Sequence, residues 1–278
     1  MSYKIVSDSA ANLRKIESHI DYASVPLKIV ANDREFIDNA TLDVQEMVSY
    51  LDNYKGESGT ACPSVLEWLD AFGDADAIFC FTITSTLSGS YNAARLAKED
   101  YEAAHPDRHV FIVDSLSAGP EMKILIEKLQ VLIKQGKDFN SICKEISEYK
   151  EQTGLVFSLE SLNNLANNGR VSPMVAKFAK VLGIRVVGRA SVRGELEPLD
   201  KCRGEKKALI KVFTHMKEMG FQGGKVRIDQ CDNISAAEQL KKHILQEYPD
   251  ADVEIGKTYG LCSFYAEKGG LMIGFEKK

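Results

Sequence analysis

The stretch FCFTITSTLSGSYNAARLA, residues 79–97, decides the fold. It continues an apolar run that opens at Ala77, and its length and apolar content predict a buried strand through Thr84. It ends in an alanine-rich helical pattern that begins at Gly89. The turn between them carries Ser85, Thr86, Ser88 and Ser90. No histidine stands nearby to activate Ser88, so a hydrolytic nucleophile is poorly supported. The free N–H groups and the positive dipole end of a helix start favour an anion instead. Gly89 lets the backbone approach a ligand closely, and Ser88 and Ser90 can donate. A simple helix cap needs only one of these hydroxyls. On composition alone both readings stand.

The same strand–turn–helix pattern recurs outward from this point. Tyr3 to Val6 predicts a short strand running into Ser7-Asp8-Ser9, and HVFIVDS predicts another ending in Asp-Ser. VQEMVSYLDNY, PSVLEWLDAF and PEMKILIEKLQVLIKQG have helical spacing, with Pro63 in the first turn of the second. Strands alternating with helices imply a mostly parallel sheet covered on its faces. Ligands of such sheets bind beyond the carboxyl ends of the strands, where the hydroxyls should gather along one edge.

After FNSICKEISEYKEQTG the pattern becomes mixed. GLVFSLES and GIRVVGRASVRGELEPL read as strands, the second with a hairpin at Arg193-Gly194. EKKALIKVFTHMKEM and ISAAEQLKKHILQEY read as helices, and GLCSFYAEKGGLMIGFEK as a loop followed by a strand. The expected organisation is two α/β domains. Residues 1–150 would hold a Rossmann-like parallel sheet, and residues 151–278 a mixed sheet.

The 278-residue length favours two domains. A formal net charge of -5 argues against a nucleic-acid partner. MSYKIVSDSAANL lacks the apolar region of a signal peptide, and no apolar run is long enough to span a bilayer. A cytoplasmic protein without an integral membrane segment is expected. The six cysteines include no C-x-x-C pair, which removes support for zinc or dithiol chemistry and leaves them as small core residues. Pro106 between His105 and His109 disfavours a helical metal pair. Phosphate loops of the G-x-x-x-x-G-K-[ST] or G-x-G-x-x-G type are absent, as are G-x-S-x-G and H-E-x-x-H.

Two further polar clusters stand out. GTACPSV places Thr60 just before the Pro63 helix, in the position of a cap or turn. NNLANNGRVSP predicts a positive φ at Gly169, with Arg170 in an exposed turn. Arg170 is then either a solvated charge or a docking point for an anion or a partner.

Taken in order, Asp8-Ser9, Thr60 with Pro63, LSGSYNAA, VDS, LESLNNLANNGRVS, LGIRVVG and GELEPLDKCRG closely resemble the DegV family over nearly the whole chain. Each motif is weak alone, but their order and spacing are specific. The resemblance implies two α/β domains with a fatty acid buried between them. Family members resemble the binding subunit of bacterial fatty acid kinase. That subunit holds the acyl chain and presents its carboxylate to a separate kinase subunit, which makes an acyl phosphate for phospholipid synthesis. The protein itself would then be a non-enzymatic carrier without cofactor or metal.

Carried onto this chain, the resemblance implies that Ser88 and Thr60 hold the carboxylate, with backbone N–H groups offered by Gly89 and Ser90. It also implies a docking role for Arg170 at the kinase-facing surface. The chain departs from the family in two places. Ala61 follows Thr60 where the family commonly has serine, and the terminal H-x-G-P-G pattern is replaced by YAEKGG. Tyr265 stands nearest the place of the family's histidine. A phenol can donate a hydrogen bond there but is not a cation near neutral pH. The alternative is a stand-alone enzyme acting on an acyl or dihydroxyacetone-like substrate. The missing nucleotide loop and metal-ligand cluster favour the carrier.

Overall fold

The computed structural model describes residues 2–16, 19–32, 34–172, 175 and 183–277. Pro173, which closes the asparagine-rich motif, and Leu182, which opens LGIRVVG, lie outside them. The first sheet contains β1 (Tyr3–Asp8), β2 (Asp21–Val25), β6 (Ala77–Thr82) and β7 (His109–Asp114), all parallel, in the order β2-β1-β6-β7. Every residue of β6 is buried, and its two-residue period divides the core. Phe79 and Phe81 pack with α4 (Pro120–Lys134) and α5 (Phe139–Lys150). Ile78 and Cys80 pack with α2 (Val65–Phe72) and α3 (Ser90–Ala104). Each such fully buried side chain contributes ~1.5–3 kcal/mol. The strand order reverses between β1 and β6, and the carboxyl ends of β1, β6 and β7 lie side by side. The expected edge of hydroxyls is therefore real, at the site where such sheets bind ligands.

The second sheet is mixed. Its strands are β8 (Thr153–Leu159), β9 (Ile184–Ala190), β10 (Leu196–Arg203), β11 (Val226–Gln230), β12 (Val253–Lys257) and β13 (Leu271–Glu276). They run in the order β10-β9-β8-β13-β11-β12, and only β11 and β12 pair in parallel. Val156, Val187, Ile228 and Ile273 share a core with α7 (Glu205–Glu218) and α8 (Ile234–Glu247). Gly194 turns the β9–β10 hairpin with a φ of 79°, as its sequence predicts.

Helix α4 joins the two sheets, packing on β6 of the first and on β8, β11 and β13 of the second. The approach is close enough to require glycine in β13. A Cβ on Gly274 would come 2.5 Å from the Glu121 backbone nitrogen. Further along α4, Glu127 takes both Nε and Nη2 of the buried Arg227 at 2.8 Å, a bidentate pair that fixes helix against sheet.

A third, antiparallel sheet has the order β4-β3-β5, from β3 (Lys28–Ala31), β4 (Arg34–Ile37) and β5 (Ser58–Ala61). It corrects the reading of Thr60, which is a strand residue paired with Ile29 and not a cap or turn. Pro63 also lies before its helix: Ser64 is the N-cap, forms a capping box with Glu67, and α2 begins at Val65. Helix α1 (Val44–Asn53) packs on this sheet. The GLCSFYA segment is not a loop but helix α9 (Gly260–Ala266). Among the described residues no helix is long and apolar enough to cross a membrane.

Candidate functional site

A cavity separates the carboxyl edge of the first sheet from one face of the second. Its empty space is about 790 Å³, mouth included. Leu155, Phe157 and Leu159 line it at every second position of β8, which is the face that Val156 does not share. Ala190, Leu196 and Met272 extend this wall, and Leu27, Ile83, Leu87 and Leu261 lie among the opposing residues.

Four polar side chains in the lining cluster together. Thr60 Oγ1 and Tyr265 Oη are hydrogen-bonded at 2.8 Å, one donating to the other. Burial raises the Tyr265 phenol above its ordinary pKa, so it is a neutral donor at physiological pH. Ser88 Oγ accepts the Ser90 backbone N–H at 3.2 Å, which leaves the Ser88 proton free to be donated. Arg170 Nε donates to Leu87 O at 3.2 Å, and Nη1 donates to Asn168 O. Arg170 is therefore half-buried, not the fully exposed side chain that its turn suggested.

Its position follows from the asparagine-rich motif. Helix α6 (Asn163–Asn167) ends with Gly169 at a φ of 68°. Gly169 N then donates to Ala166 O and Arg170 N to Leu165 O, the paired bonds of a Schellman stop. Asn168 and Asn164 donate to Ser58 O and Phe264 O, tying this turn to β5 and α9.

Gly89 and Ser90 lie outside the cavity lining. Gly89 is the N-cap of α3. Ser90 is fully buried, its N–H is taken by Ser88, and its hydroxyl donates to Asp8 Oδ2 at 2.6 Å. The β5–α2 connection meets this helix start, since a Cβ on Gly89 would lie 3.1 Å from Cys62 Sγ. Cys62 is exposed, against the expectation of a core thiol.

Among the described lining residues Arg170 is the one charged side chain, and no carboxylate is present. Hydroxyl donors and a guanidinium at the rim of an apolar cavity suit a ligand with an anionic head and a long apolar body. A model described as "Uncharacterised protein, DegV family" matches residues 2–278. The chain belongs to the DegV family. It is 42% identical over 279 residues to a DegV domain-containing protein of Streptococcus pneumoniae, with 99% of each chain covered. Two solved structures superpose over 100% of both chains. One is the Streptococcus pneumoniae Fatty Acid Kinase (Fak) B3 protein loaded with linoleic acid, 42% identical with a TM-score of 0.98. The other is a DegV family protein from Eubacterium eligens loaded with heptadecanoic acid, 44% identical with a TM-score of 0.97.

In this DegV chain the support behind Tyr265 and Ser88 was not readable in advance. Asp38 follows β4 and accepts the first N–H groups of α9, the helix that carries Tyr265. Asp8 ends β1 and holds the start of α3 through Ser90 and Ile83. The Asp8-Ser9 motif was visible, but a buried brace and a surface turn look alike in sequence.

Proposed function

We propose that the protein binds a long-chain fatty acid and presents its carboxylate to a separate kinase subunit, which forms the acyl phosphate. The observation that carries this reading is an apolar cavity in which the one charged side chain among the described lining residues is an arginine, beside the Ser88, Thr60 and Tyr265 hydroxyls. The fatty acids in the two similar structures support it. The carboxylate would meet Ser88, Arg170 and the Thr60–Tyr265 pair. The tail would add ~0.8 kcal/mol per buried CH₂. In the same reading residues 1–150 and 151–278 act as two domains that hold the ligand between them, in the cytoplasm. No resident cofactor enters the proposal.

Mass spectrometry of an organic extract of the purified protein should find an acyl chain. An empty extract, together with no binding by calorimetry, overturns the reading. Ser88→Ala should weaken binding by about 1–3 kcal/mol, because a charged acceptor loses a buried donor. Thr60→Ala should act similarly by removing the partner of Tyr265, and the double variant should be non-additive. Unchanged affinity in both single variants would make these hydroxyls purely structural. Incubation with ATP and fatty acid, with and without the kinase, separates this carrier from a stand-alone enzyme.

Arg170 lines both the cavity and an outer groove that includes Thr86, Asn167, Val171 and Val192. We place it at the point of hand-over to the kinase. Arg170→Ala should reduce acyl-phosphate formation by a larger factor than it reduces fatty-acid affinity. Equal losses in the two assays would confine Arg170 to the pocket.

A further inference from the structure

The β9–β10 hairpin lies like a strap along one side of the cavity. Ala190, Gly194 and Leu196 line the cavity from within. Ser191 and Val192 line two surface grooves that flank the hairpin, one shared with Arg170 and the other with Lys150. The hairpin therefore stands between the cavity and solvent, and Val192 at its tip is 92% exposed. Beyond Arg189 the strap is free of the sheet. β8 pairs with β9 between Val186 and Arg189, and β10 is the edge strand, paired with β9 alone. Near the point of departure Gly188 faces Pro198, and the register shifts between Pro198 and Asp200. A strand glycine opposite a bulge is a place where a hairpin bends.

The arm itself is tied internally. Arg189 Nε donates to Glu197 Oε2 at 2.8 Å across it, and Ser191 Oγ accepts the Arg193 and Glu195 N–H groups at its tip. Among the described residues one hydrogen bond joins residues 190–196 to residues 1–150. Thr86 Oγ1 donates it to Gly194 O at 2.7 Å. The tip seats closely there, since a Cβ on Gly194 would lie 2.1 Å from Thr84 Oγ1 and 3.1 Å from Leu116 Cα. We propose that the β9–β10 hairpin is a lid that swings about Gly188 and Pro198 to exchange the acyl chain, and that Thr86 latches it shut. This rests on the fatty-acid-binding reading above. Opening sideways frees the chain without drawing its apolar length past the polar rim. The latch is one neutral hydrogen bond, which shifts the closed-to-open ratio by about three- to tenfold.

The test follows release of cis-parinaric acid, a fluorescent fatty acid, from the loaded protein by stopped flow, with excess oleic acid as the chase. Thr86→Val keeps the shape of the side chain and removes the latch, so release should be about three- to tenfold faster than in the wild type. A release rate equal to that of the wild type overturns the proposal. A second variant staples the lid. A Cβ on Gly194 would lie 3.1 Å from Thr84 Cβ, close to the ~3.8 Å span of a disulfide. Oxidation of the Thr84→Cys, Gly194→Cys double variant should slow release by about tenfold or more relative to its reduced form, and dithiothreitol should restore the rate. The wild type under the same oxidant controls for the six native cysteines. Equal release from the stapled and reduced forms overturns the lid, while binding of the probe still upholds the parent reading. No binding of any chain defeats the parent reading and this inference together.

Discussion

Asp38→Ala should lower stability by about 3–5 kcal/mol and loosen the proposed head-group site with it. The carboxylate is fully buried. Its Oδ1 accepts Arg14 Nη2 at 2.6 Å and Gly260 N at 2.9 Å, and its Oδ2 accepts Leu261 N at 2.9 Å. Arg14 Nη1 also donates to the Asp38 carbonyl at 2.6 Å, and its guanidinium lies 4.4 Å from the centre of the Tyr259 ring. Removing the carboxylate orphans two N–H groups at the start of α9 and strips a mostly buried arginine of its counter-charge. Breaking such a pair from one side leaves the other side's desolvation uncompensated. Gly260 shows how closely the parts fit, because a Cβ there would lie 2.7 Å from Asp38 Cγ. Tyr265 rides on the same helix, so Thr60 should lose its partner in the variant that still folds. Denaturant unfolding measures the first effect, and fatty-acid calorimetry at low temperature the second. A loss below ~1 kcal/mol, as for an exposed ion pair, would reject this account.

The legible parts of the molecule were those governed by local rules. The buried run through β6, the hydroxyl turn after it and the Gly169 stop each follow from neighbours in sequence, and each is found where expected. The three-stranded sheet was missed because its strands are four residues each and are bounded by no strong alternation. Helix α9 was missed for two reasons. It has seven residues, six of them buried, so it has no polar face to reveal a period. Its N-terminus is capped by Asp38, 222 residues earlier in the chain, and not by a neighbouring serine or aspartate. The polar cluster of the cavity was half visible for the same reason. Ser88 and Thr60 sit in recognisable motifs, while the bond that brings Tyr265 to Thr60 exists only once α9 and β5 are packed together.

Stability should fall as pH rises from about 5 to 8, and Asp8→Asn should remove most of that fall. Asp8 is fully buried. Burial pushes its carboxyl from an ordinary 3.8 up to about 7, with Asp38 adding repulsion, although hydrogen bonds from Ser90 and the Ile83 N–H pull the other way. Oδ2 accepts both of those bonds, at 2.6 and 2.8 Å, and Oδ1 has no partner among the described residues. Between pH 4 and 7 the native state keeps a proton that the unfolded chain has released. The native state binds more protons, so unfolding becomes easier as pH rises through that window. At ~1.4 kcal/mol for each pH unit, the full effect is on the order of 4 kcal/mol. Asparagine keeps the acceptor for Ser90 and Ile83 and places its amide nitrogen where Oδ1 already stands alone. It carries no charge to bury. Asp8→Asn should therefore exceed the wild type in stability by about 2–3 kcal/mol more at pH 8 than at pH 5. Asp229, which burial pushes up to about 6, leaves a smaller slope of the same sign in the variant. Chemical denaturation of both proteins at the two pH values measures the difference. Equal losses between pH 5 and pH 8 would mean that Asp8 does not hold its proton in the folded state.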